Sequence, residues 1–140
     1  MAICVVPFFA LRLDSSDAGN DPSNTSTYRA FNLLSHGFGA GFNGPLLIAV
    51  EAPSGPGQAA KLQAVRTALT TTSDVVAVTQ PRISPSGKVA VMEAYPDSAP
   101  QATATTNLVN RLRDGVFPAL QKRLGVAVSI GGFTARSLDF

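Results

Sequence analysis

From Pro45 to Gly132 the spacing of apolar residues switches repeatedly between two and three-to-four, and that alternation restricts the fold more than any other feature of the chain. "PLLIAVEA" (45–52) is an apolar run of strand length, closed by the turn-forming "APSGPG". "QAAKLQAVRTALTT" then places Leu62, Val65 and Leu69 on one face of a segment rich in helix formers. "DVVAVTQ" reads as a second strand and "PRISPSGK" as a turn. "KVAVMEAYP" alternates Val89, Val91, Glu93 and Tyr95 with Ala90, Met92 and Ala94, which predicts a third strand in a hairpin with the second. In "ATTNLVNRLRDGVFPALQKRLG", Leu108, Leu112, Val116, Leu120 and Leu124 recur every four residues, a buried helical stripe ended by Gly125. Gly115 and Pro118 should bend or split that helix. "VAVSIGG" puts Val126, Val128 and Ile130 on one face of a fourth strand.

Strand, helix, strand, strand, helix, strand is the split βαβ order of a ferredoxin-like α+β fold. It predicts a four-stranded antiparallel sheet with both helices on one face, and right-handed crossovers place the first and third strands in the middle. A further helix is predicted at about 25–37, where Tyr28, Phe31, Leu34 and Phe38 form a stripe. This fold hosts many unrelated activities, so topology alone specifies none.

Between that extra helix and the first strand lies "GFGAGFNGPL" (37–46), in which Gly39, Gly41 and Gly44 have the spacing of a dinucleotide fingerprint. A phosphate cradle needs a strand, then the glycine turn, then a helix whose free N–H groups face the pyrophosphate. Here a helix comes first and a strand follows. The glycines therefore read as shape-determining residues: Gly37 as the helix C-cap, and Gly39, Gly41 and Gly44 as turn positions that take backbone angles other residues resist. Phe38 and Phe42 flank them, either as core residues or as a contact surface for substrate or partner.

The remaining inventory excludes more than it supplies. The 140 residues suit one domain, and a formal charge of +2 without a basic run gives no footprint for nucleic acid. Cys4 is the single cysteine and His36 the single histidine, so neither an internal disulfide nor a structural zinc site is expected. Ser35 and His36 are helical neighbours whose side chains diverge by about 100°, a poor nucleophile and base. Asp14, Asp17 and Asp21 lack the glycine and glutamate of a calcium loop. "EAPSGPGQAA" carries no arginine-bearing anion cradle after the first strand. No enzyme activity, cofactor or metal is expected. The apolar start, "AICVVPFFALRL", is too short to span a bilayer, which leaves a buried strand or the tail of a membrane helix; "DSSDAGNDPSNTS" after it is loop chemistry.

Three stretches carry a family resemblance. "LRLDSSDAGNDPSNTSTYRAFNLLSHGFGAGFNGPLLIAVEA" (11–52) resembles the segment after the first transmembrane helix in the MMPL family (mycobacterial membrane protein large) of the resistance-nodulation-division (RND) superfamily. Its specific part is the combination of "DAGNDP" (17–22), an aromatic and basic helix, and "GFGAGFNGPL" (37–46). "SPSGKVAVMEAYP" (84–96) is similar to the family's hairpin, and "GGFTARSLDF" (131–140) to the lead into its second transmembrane helix.

The resemblance implies the first extracytoplasmic (periplasmic) porter domain of a proton-driven, multi-pass exporter in the bacterial plasma membrane, whose relatives move lipids or other hydrophobic substrates outward. Residues 1–13 would then be the exit of the first transmembrane helix, 14–135 the porter domain and 136–140 the lead into the second. The implied partners are the sister extracytoplasmic domain, the transmembrane helices and the hydrophobic or lipid cargo, with Phe38, Phe42 and Phe133 as candidate contacts. The family's proton relay lies in membrane helices, so no residue of this chain is assigned to it. The competing expectation is a free-standing ferredoxin-like ligand-binding or regulatory module.

Overall fold

Leu46, Ile48 and Val50 have no exposed surface, whereas Leu47 between them keeps 41% of its own. That contrast marks a strand covered on one face only. In the computed structural model, which describes residues 17–132 and Ala135, this strand is β1 (Leu46–Glu51). An N-terminal helix, α1 (Ser26–Phe38), precedes it. After it come α2 (Gln58–Thr70), β2 (Val75–Val78), a two-residue strand β3 (Arg82–Ile83) and β4 (Val89–Pro96). The chain continues through α3 (Thr103–Arg111), a π-helical turn (Leu112–Val116), α4 (Phe117–Leu124) and β5 (Ala127–Gly131).

The sheet order is β2–β4–β1–β5, every neighbouring pair antiparallel. The first and third long strands, β1 and β4, are central, which is the ferredoxin-like arrangement. The fifth strand is β3, which pairs with β4 inside the segment expected to be turn alone. Arg82 lies opposite Val91 there, and Ser84 N–H donates to Val89 O at 2.8 Å.

The core sits between the sheet and α2, α3 and α4. Ala90, Met92 and Ala94 of β4 join β1 with Val78 and Val128, and the helices contribute Leu62, Val65, Leu69, Leu108, Val109 and Leu120. Each fully buried Val, Leu, Ile or Met among these contributes about 1.5–3 kcal/mol of transfer free energy. The outward residues of β4, namely Val89, Val91, Glu93 and Tyr95, are only half-buried, because no layer of described residues covers that face of the sheet as the helices cover the other. The α2–β2 turn is held by Asp74, the one described non-glycine residue with positive φ, at 69°. Arg111 pairs with its carboxylate and donates to Ser73 O at 2.9 Å.

Two points concern the ends and breaks of the helices. The stripe through 108–124 is interrupted at Gly115 and Pro118, the place expected to bend or split the helix. Phe117 N–H bonds to Leu112 O, five residues back, so one turn is widened by a residue and Phe117 takes the buried place that the spacing assigned to Val116. The cause is Pro118: it has no N–H for the carbonyl of Asp114 and its ring would collide with it in a regular helix, so the turn opens to a π geometry. Secondly, Gly37 is not the C-cap. α1 runs on to Phe38, and Gly39 ends it with φ 102° and ψ 156°, its N–H donating to Ser35 O at 3.1 Å. That backbone region is essentially restricted to glycine.

Candidate functional site

No residue of α1 is buried, although its thirteen residues include Tyr28, Phe31, Leu33, Leu34 and Phe38. Leu33 is 74% exposed and Phe38 66%. The stripe of Tyr28, Phe31, Leu34 and Phe38 thus belongs to an arm outside the hydrophobic core. Its N-terminal end is closed by side chains: Asp17 caps the Gly19 N–H at 2.9 Å, Thr25 accepts from Tyr28 N–H, and Asp21 accepts from the Thr27 hydroxyl at 2.6 Å. Phe31 lies against Gly19, where an added Cβ would stand 2.9 Å from the ring.

The glycine loop anchors this arm to the sheet. After Gly39 the chain makes a 3₁₀ turn (Ala40–Asn43) in which Gly41 is buried against the end of β4. A Cβ at Gly41 would lie 2.0 Å from Pro96 O and 2.9 Å from Ser98 O, so only glycine permits this approach. Asn43 then ties the turn back to the helix: its Nδ2 donates to Phe31 O at 3.1 Å and to Ser35 Oγ at 2.8 Å. Asn20 Nδ2 adds a bond to Gln101 Oε1 at 3.0 Å. Gly44, with φ −138°, needs no special freedom, and the space around Gly37 is open.

This anchoring sets Phe42 between two other rings. Phe38 stacks on one side of it with centroids 4.6 Å apart and planes at 23°, and Tyr95 on the other at 5.3 Å and 14°. Three aromatic planes therefore run from the exposed C-terminal end of α1 onto the helix-free face of the sheet. At the sheet end, Tyr95 Oη donates to Glu93 Oε2 at 2.8 Å, and Glu93 lies opposite Leu47 on β1. The hydrogen bond to Glu93, with partial burial and the carboxylate's charge behind it, raises the Tyr95 phenol above its ordinary 10.0.

Phe38 and Phe42 are brought together; Phe133 lies outside the described residues, as do residues 1–13, 136–140 and Cys4. Glu93 and Tyr95 were not singled out from the sequence. Their signal was the two-residue alternation in β4, which places them opposite Ala90, Met92 and Ala94. Ser35 and His36 do not form a pair: Ser35 Oγ faces Asn43, while His36 Nδ1 sits 2.8 Å from Asn32 O on its own helix. The glycines follow a helix C-terminus, whose carbonyls repel rather than cradle a phosphate. Among the described residues no group of three or more His, Cys, Asp or Glu is placed to hold a metal ion, and no helix is long and apolar enough to cross a membrane.

A ferredoxin-like domain carrying an aromatic arm is thus the class of structure at hand. No family model matches the chain. It is 29% identical over 140 residues to the membrane protein YdfJ of Bacillus subtilis, an alignment that takes in 99% of this chain and 19% of YdfJ. The chain thus spans about a fifth of that relative's length. Among solved structures, the mycobacterial membrane protein MmpL11D2 superposes with a TM-score of 0.49 at 19% identity, covering 62% of this chain and all of that one.

Proposed function

We propose that the chain is a non-catalytic extracytoplasmic domain of an MMPL-type, proton-driven membrane transporter, and that it acts by conformational change and by lining a route for a hydrophobic or lipid cargo. The observation that carries this reading is similarity along 99% of the chain to one part of a much longer membrane protein. It agrees with the resemblance of residues 11–52, 84–96 and 131–140 to the loop between the first two membrane helices of that family. An arm with no buried residue and a sheet with one face free of helices suit a domain whose partners are the sister domain and the membrane helices of the same protein.

The test is the orientation of the domain in the full-length protein. Cys4 is replaced by serine and an exposed cysteine is introduced by Ser86→Cys, in the turn between β3 and β4. A membrane-impermeant maleimide should label intact cells at that position. Labelling only after the membrane is opened would overturn the assignment, and unchanged export of apolar compounds after deletion of the domain would overturn its role in transport.

A further inference from the structure

We propose that Phe38, Phe42, Tyr95 and Glu93 form a binding site for an amphiphilic cation, a ligand with an apolar body and an ammonium-type head, on the helix-free face of the sheet. The site rests on the transporter reading for its purpose, as a contact for cargo, and on the geometry for its chemistry. Phe38 stacks on Phe42 and remains 66% exposed, so an aromatic surface is presented to solvent in a fixed orientation. Aromatic faces carry negative potential and attract cations, the more so where water is partly excluded.

A carboxylate stands at the other end of the same stack. Glu93 is held by the Tyr95 hydroxyl at 2.8 Å, a bond that orients the carboxylate without neutralising it. Arg111 pairs with Asp74 at the α2–β2 turn, away from this face, and Glu93 makes no ion pair among the described residues. Register places Arg82 on the same face, opposite Val91 and two residues along β4, and Glu51 at the far end of β1 opposite Val89. Apolar surface adjoins the carboxylate: Leu47, directly across from Glu93, is 41% exposed, and Val91 continues the face. An alkyl chain lying on Leu47 and Val91 with its cationic head between Glu93 and the rings meets both requirements. An anionic head at the same place meets a carboxylate and ring faces of like sign.

The test titrates the isotopically labelled chain with dodecyltrimethylammonium, dodecyl maltoside and dodecyl phosphate, each below its micelle-forming concentration. The cation should shift the amides of Phe38–Asn43, Leu47 and Glu93–Tyr95 and bind about fivefold more tightly than the neutral probe, with the anion weakest. Glu93→Gln should abolish the advantage of the cation over the neutral probe and leave the rest of the amide spectrum in place. Phe38→Ala, at an exposed position where folding is not at stake, should weaken the cation several-fold. Equal or tighter binding of the anion, a cation preference that survives Glu93→Gln, or shifts confined to other surfaces would each overturn the site. Failure here leaves the labelling result on the full-length protein untouched, so the two readings fail separately.

Discussion

Gly41→Ala isolates the contact that joins the arm to the domain. The added Cβ would stand 2.0 Å from Pro96 O, 2.7 Å from Pro96 C and 2.9 Å from Ser98 O. All three are backbone atoms of the β4 terminus and the loop after it, so no side-chain rotation relieves the clash, and the 3₁₀ turn or the strand end must move by more than an ångström. Overpacking of this kind costs about 1–3 kcal/mol. At roughly 4 °C per kcal/mol for a domain of this size, the melting temperature should fall by roughly 4–12 °C. Because Phe42 follows Gly41 directly, the same shift should pull Phe42 off Tyr95 and change the near-ultraviolet circular dichroism and the amide signals of both. Gly37→Ala is the internal comparison: its Cβ meets nothing within 4 Å and the site lies inside α1. There the exchange should raise stability by about 0.5–1 kcal/mol through helix propensity alone. A Gly41→Ala protein with unchanged melting temperature and unchanged Phe42 and Tyr95 signals would refute the close approach on which the arm's placement depends.

Asn43→Asp replaces the amide donor to Phe31 O and Ser35 Oγ with an acceptor facing a carbonyl, at a cost of about 1–3 kcal/mol, and hydrogen exchange should show α1 amides losing protection while the sheet keeps its own. If α1 protection is unchanged, Asn43 is not what ties the turn to the helix. In a Tyr28→Phe background Tyr95 is the single phenol, and its ultraviolet titration should have a midpoint above 10.0 that Glu93→Gln moves back down. The folded-state value is the raised one, so the stabilisation is fully present below about pH 10 and is lost as pH rises through the higher folded value. A midpoint at or below the ordinary value would show that Glu93 does not hold the hydroxyl.

The sequence by itself determined the secondary elements of the ferredoxin-like core and their order. Each strand there buries one face and each helix one stripe, so periods of two and three-to-four are written into Leu46–Val50, Ala90–Ala94 and Leu62–Leu69. Right-handed crossovers then left β1 and β4 as the central pair. The cap at Gly125 was legible for the same local reason, its φ of 61° being a backbone requirement that glycine meets. Periodicity reports that a face is covered, not what covers it. The stripe on α1 marks a helix without saying what its apolar side meets, and the tertiary structure leaves every residue of it unburied. The widened turn before Pro118 shifted the buried position from Val116 to Phe117, because one residue of extra helical length advances every later side chain by about 100°. The aromatic stack was decided only in three dimensions. Phe42 and Tyr95 are separated by more than fifty residues, and they meet because Gly41 lets one backbone lie against another, a contact that leaves no periodic mark on either segment.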